Sequence, residues 1–293
     1  MESAFLFAIL TAALFALSQV IIRRATYGAG ESFTALAMSL LIGTPIFIIL
    51  LTITGEWPDF ISFTWQQYML LAAAGLVHLI IARYLFFNST RIIGANPTVA
   101  ITRTSIVFSV IFGIVFLGEA VTVLQGFAAL IIMVGAILTN TEITRTTFRI
   151  STRGLLMGFG TAICSATSAA LIRPVMTATD AVYAATFIMY LTAYVTILLI
   201  LVFSRRQQGL VRGQDRRAFI IMAMNALILV GAHLCRFNAL QYGQVSIVQP
   251  IIASMVVFVL LFSWLVNRRI DVFNWRVIAG IVMVLLGIYL IYY

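Results

Sequence analysis

Lysine is missing from this chain of 293 residues, and charge of either sign is scarce. Asp, Glu, Lys and Arg together make up 9% of it, where a soluble domain carries about a quarter. That deficit, beside 62% hydrophobic residues, excludes an ordinary soluble fold and points to a polytopic membrane protein. Cysteine is limited to Cys164 and Cys235, both inside apolar segments. Neither has a ligand cluster around it, so they read as packing residues rather than a disulfide or a metal site. No Gly-rich phosphate loop, metal-ligand cluster or nucleophile–base–acid set occurs, so no cofactor, metal or enzyme chemistry is expected. The net charge of +9 does not indicate a nucleic-acid partner, because most Arg sit between hydrophobic segments, as topology signals do. The most informative absence is of acid: all 9 Asp and Glu lie in connections or at segment ends. Yet Arg83, Arg103 and Arg236 fall inside apolar segments, with no carboxylate at that depth to pair them.

What is present is a run of ten apolar segments, near 3–22, 33–53, 67–88, 95–117, 121–139, 154–172, 182–203, 218–240, 245–266 and 273–292. Each is close to the roughly 20 residues that cross a bilayer core as a helix. The first lacks a basic leader, Glu2 being its only early charge, so it is expected to stay as a helix and not to be removed as a signal peptide. Connections are short, the longest being 54–66 and 204–217, which leaves no room for a soluble domain. The two halves echo each other. Thr11-Ala12, Ala16, Ser18 and Ile22-Arg23 recur as Thr161-Ala162, Ala166, Ser168 and Ile172-Arg173, a shift of 150. Arg83-Tyr84 with Pro97 recurs as Arg236-Phe237 with Pro250, a shift of 153, and Ala128 and Gly135 answer to Gly280 and Gly287. The expected fold is an all-α membrane protein of ten transmembrane helices, as two five-helix repeats over 1–140 and 141–293. An odd number of spans per repeat inserts the second upside down, and inverted repeats place a substrate site near the midplane.

A small-residue first helix in each half and the run Phe116-Leu117-Gly118-Glu119-Ala120 are informative in combination with the five-plus-five pattern. With Gln125 and a Gly-spaced fifth helix, they make the chain resemble the EamA-type transporters of the drug/metabolite transporter superfamily. The second half departs from the motif, carrying Asn267-Arg268-Arg269-Ile270-Asp271 instead. The resemblance implies solute transport by alternating access through a cavity lined mainly by helices 1, 3, 4, 6, 8 and 9. It implies no single cargo, since members carry amino acids, drugs, sugar conjugates or phosphorylated metabolites.

Charge sets an expected orientation. Of the 18 Arg, 14 fall in connections after odd-numbered segments, among them Arg23, Arg24, Arg91, Arg145, Arg149, Arg268 and Arg269. The opposite side holds Arg173 with Glu2, Glu56, Asp59, Glu119 and Asp180. The positive-inside rule then puts both termini outside the cytoplasm, in a bacterial or archaeal cytoplasmic membrane. The resemblance implies the reverse for many relatives.

The candidate substrate-binding residues are Arg83, Arg103, Arg236, His78, His233 and Tyr84. Arg presents a planar fork of donors that suits carboxylate or phosphate and stays charged. Arg83 and Arg236 read as symmetry mates on opposite sides of the midplane; Arg103 has Val256 as its mate, and so is expected to set preference. Snorkelling of these side chains to the interface is the competing account. The histidines titrate near neutrality and suit proton sensing or carrying, against a plain role as neutral hydrogen-bonded groups between helices. Tyr84 offers an aromatic surface. Without a membrane acid, an organic cation is disfavoured as cargo, although aromatic faces still permit cation–π binding. The expected partners are a small anionic or zwitterionic solute and membrane lipid, with the monomer as the working unit. A lipid or amphipathic cargo, and a non-transporting accessory protein, are the rival readings.

Overall fold

A computed structural model gives the protein's fold, describing residues 2–25, 31–139, 151–212, 215–266 and 275–292. The boundary between the halves, Arg145, Arg149, and the stretch from Asn267 to Asp271 with Arg268 and Arg269 lie outside the described residues, as do the side chains of Arg23 and Arg24. Every regular element among the described residues is helical.

The first half holds α1 (Glu2–Ala25), α2 (Glu31–Thr54), the short α3 (Trp57–Ser62), α4 (Trp65–Gly75), α5 (Ala82–Ile93), α6 (Ala95–Thr102), α7 (Ser105–Leu117) and α8 (Val123–Leu138). A π-helical turn, Leu76–Ile81, joins α4 to α5 as one continuous rod. The second half holds α9 (Thr152–Ala178), α10 (Val182–Phe203), α11 (Arg205–Arg212), α12 (Arg216–Tyr242), α13 (Val245–Ala253), α14 (Met255–Val266) and α15 (Trp275–Tyr292). Eight stretches are long and apolar enough to cross a membrane, and Val123–Leu138 and Trp275–Ile291 are shorter apolar helices. The chain is an integral multi-pass membrane protein.

Local sequence explains several of the starts. Thr64 and Thr122 each accept from the backbone of Gln67 and Gln125, whose side chains return the bond to the cap, a reciprocal pairing that satisfies two free amides. Gly118 ends α7 at φ 63°, the left-handed region that glycine enters without a Cβ penalty.

The halves interlock instead of standing side by side. α1 lies along α12 and α14, and α9 lies along α5 and α7, so each first helix packs into the other half. α2 pairs with its counterpart α10, and α8 with α15. This is the contact pattern of two repeats around a pseudo-twofold axis. The small residues make it possible. Ala8, Ala12 and Ala16 on α1, and Ala162 and Ala166 on α9, are fully buried, and their four-residue spacing gives each helix a flat face for close approach. At the α8–α15 crossing a Cβ on Gly280 would lie 2.6 Å from the Gly135 carbonyl oxygen, so the two backbones touch through glycine. A buried hydrogen bond of 2.7 Å from Ser18 to Asn225 ties α1 to α12.

Candidate functional site

The rod α4–α5 corresponds to α12, but it is one residue longer between its caps. Thr64 and Gly94 bracket the first, Asp215 and Gln244 the second. The π turn absorbs the extra residue: the Ala82 amide donates to Val77, five residues back instead of four. His78 sits in that turn. Below it, the shift of 150 seen in the first helices holds as far as the next caps, Gly94 and Gln244. The register of 153 drawn through the two arginines therefore does not describe the fold. By helix ends, Arg83 is equivalent to His233, and Arg236 to Phe86.

These residues nonetheless meet. The rings of His78 and His233 stand edge to face, centroids 5.7 Å apart. Tyr190 of α10 packs edge-on to His233 at 5.4 Å, and Phe15 of α1 does so at 5.2 Å. Phe47 of α2 lies 4.8 Å from Tyr190. Arg83 and Arg236 are both close enough to act electrostatically on the two imidazoles, and Arg83 on the Tyr190 phenol. The α4–α5 rod, α1, α2, α10 and α12, from both halves, thus converge on one cationic cluster. Arg236 is 2% exposed and His233 1%, so neither head has reached the surface and snorkelling does not describe Arg236. Among the described residues no carboxylate acts on Arg83 or Arg236. Arg236 Nη1 and the Nδ1 atoms of both histidines are buried without a hydrogen-bond partner. Buried polar groups are nearly always paired, so orphans gathered at one point mark a place that something else occupies.

Two expected members stand apart. Tyr84 is 62% exposed and sits on the outward face of α5, away from the histidines. Its neighbour in sequence points inward, as a helical step of about 100° requires. Arg103 lies at the break between α6 and α7, where the helix tightens to Arg103-to-Ala100 and Ile106-to-Arg103 backbone bonds. The break between α13 and α14 repeats this pattern at Ser254, bonded to Ile251 and accepting from Val257. The structural mate of Arg103 is therefore Ser254, two positions short of Val256. Nε of Arg103 is also buried and unpartnered, but Arg103 does not act on the histidine pair. Pro97 sits in the first turn of α6, as expected of a helix-starting proline, whereas Pro250 lies inside α13 beyond its first turn. There it has no amide to donate to the carbonyl four residues back, and the break at Ser254 follows one turn later.

The Leu-Gly-Glu motif has a structural role that its sequence did not disclose. Glu119 accepts from the amides of Val245 (2.7 Å) and Ser246 (2.9 Å) and from the Ser246 hydroxyl (2.6 Å), capping α13 across 126 residues of chain. Gly113 leaves the space for it, since a Cβ there would come within 2.3 Å of the carboxylate. Arg173 meets the other side of the same corner, donating to the carbonyls of Leu240 and of Gln241 (2.7 Å) at the end of α12. Asp180 accepts from Gln241 at 2.6 Å. The α12–α13 corner is thus held by an acid on the helix N-terminus and a base on the helix C-terminus, as the helix dipole favours. Tyr190 and this corner were reachable from sequence only as a generic aromatic and a family motif, because both act across long separations.

Two apolar grooves open on the outer surface. One, about 390 Å³, is lined by Glu2, Phe5, Leu285, Ile288 and Tyr289, and the other, about 310 Å³, lies between α7 and α8. Neither touches the cationic cluster, and their apolar walls suit lipid chains.

Fold and cluster together define a transporter-like membrane protein made of two interlocked inverted repeats. The chain belongs to the EamA-like transporter family, whose model matches it twice, over residues 2–141 and 152–293. A solved crystal structure shares its fold with a TM-score of 0.77 at 16% identity, over 98% of this chain and 95% of that one. No curated protein sequence matches it significantly.

Proposed function

We propose that the protein is a ten-span secondary transporter that moves a small organic anion or zwitterion by alternating access. Its cargo carries a carboxylate or phosphate, with phosphorylated or carboxylated metabolites ahead of amino acids. The observation that carries this reading is the cluster of Arg83, Arg236, His78 and His233, enclosed between the halves with no acid among the described residues acting on it. Two guanidinium groups in an apolar interior cost several kcal/mol unless an anion meets them. A scaffold protein gains nothing from that cost, whereas a carrier recovers it each time cargo binds. Arg83 reaches the cluster from the first repeat and Arg236 from the second, so rocking one repeat against the other would change the anion's access without dissolving its site. Arg103, at the break of the fourth span, would meet the cargo's distal part.

Thermal unfolding of the purified protein against a library of phosphate esters, carboxylates, amino acids and organic cations tests this. A ligand present at about 100 times its Kd stabilises the native state by about 2.7 kcal/mol, which is readily visible as a raised Tm. Anions are expected to raise the Tm and cations to leave it unchanged; stabilisation by cations alone would overturn the reading.

A further inference from the structure

We propose that the His78–His233 pair is a proton-binding site, and that the protein carries a proton together with its anion. This rests on the anion reading above. The geometry of the two rings is not that of structural histidines. A buried structural imidazole normally has its ring nitrogens fixed by hydrogen bonds, yet Nδ1 of each ring here is buried with none. The rings face each other across the two halves, and His78 stands in the π turn, where the α4–α5 rod takes up its one extra residue over α12. π turns inside membrane rods are local departures that often accompany function.

The charged and titratable groups around the pair are few. α5 supplies Arg83, α12 supplies Arg236 and His233 itself, and α10 supplies Tyr190. α1 and α2 contribute Phe15 and Phe47, and no charged group of α9 acts on either ring. With the site empty, two guanidinium charges already stand there, so a third positive charge is opposed. A metal cation is opposed for the same reason. When a doubly charged anion settles against Arg83 and Arg236, that opposition is removed. A proton from the water on the loading side then adds to an unpartnered ring nitrogen, and the imidazolium gains an anion to which it can donate. On the far side the anion leaves, the repulsion returns, and the proton passes back to water. No covalent bond to the cargo forms or breaks, and one proton crosses with each anion.

The consequence is a linkage that can be measured without knowing the natural cargo. Sulfate is a dianion that does not titrate near neutrality, so any proton taken up when it binds goes to the protein. The full-length protein in detergent, in weak buffer with a pH dye, is titrated with sulfate or with malonate, while thermal stability is followed in a parallel sample. The expected result is stabilisation with uptake of roughly one proton per anion bound, and affinity that falls with rising pH, roughly tenfold per unit over the range in which that proton is taken up. The double variant His78→Gln, His233→Gln should still be stabilised by the anion, with no proton uptake and an affinity flat in pH. Stabilisation without proton uptake in the wild type would overturn the proton site and leave the anion site standing. Uptake that persists in the double variant would overturn its assignment to the histidines. Failure of both anions to stabilise the wild type would overturn the anion reading itself, and the proton site with it.

Discussion

A guanidinium in an apolar interior is defined by what it can donate to. Arg173 spends its donors on the carbonyls ending α12, and is structural. Arg236 keeps a buried donor free, as does Arg103, so each has something left to bind. Carboxylates divide in the same way. Glu56, outside the spans, accepts from the Ala184 amide at 2.9 Å and so pins the start of α10. Burial pushes its carboxyl above the usual range, against the amides of Ala184 and Tyr183 and with repulsion from Asp59. The folded state therefore holds the proton more tightly than the unfolded chain. That contribution to stability is full at acid pH, below the unfolded value, and is lost as pH rises through the folded one. Glu56→Gln, which keeps an acceptor without the charge, should flatten this dependence. Thermal unfolding of both proteins from about pH 4 to neutrality checks it, with the variant gaining on the wild type as pH rises.

Helices carry the second level. The apolar runs mark the eight helices long enough to cross a membrane and the two shorter apolar ones, because length and hydropathy decide which stretches enter lipid. What the runs could not show is where a span departs from a straight helix. The π turn at Leu76–Ile81 and the breaks at Arg103 and Ser254 leave hydropathy unchanged, yet they and the caps at Gly94 and Gln244 replace the register of 153 by one of 150 at the histidines and 151 at the breaks. The histidine–arginine meeting was half legible for this reason. The residue types and their depth stood in the sequence, while the juxtaposition depended on a single inserted residue. Tyr84 is a contrasting case, since the helical step of about 100° from Arg83 turns it to the exposed face of α5. Capping by Glu119 belongs to this scale too. Glu119→Ala removes three hydrogen bonds from the start of α13 and should cost about 2 kcal/mol. Denaturation in detergent measures that loss, and Glu119→Gln should recover part of it, because one oxygen still accepts.

The whole molecule is two repeats that cannot be separated without opening nearly every buried face, since α1 and α9 each pack into the opposite half. Glycine meets glycine where α8 crosses α15. Gly280→Val should cost about 2 kcal/mol or more and lower the yield of folded protein, since the added carbon meets the Gly135 carbonyl and both the backbone and the methyl of Thr139. Gly126→Ala on the same helix α8 meets nothing within 4 Å and should fold as the wild type does. The Arg-rich connections predict both termini outside the cytoplasm, so an alkaline phosphatase fused to the C-terminus should be active. The central claim is that the enclosed arginines carry an anion across. The most direct measurement is uptake of a mixed pool of phosphate esters and carboxylates into vesicles reconstituted with wild type, Arg83→Ala or Arg236→Ala, read by mass spectrometry of the vesicle contents. Particular anions should accumulate with the wild type and fall at least about tenfold with either variant, the loss of one charge-assisted contact being worth ~1.5–3 kcal/mol. Equal anion accumulation by all three proteins would contradict that claim.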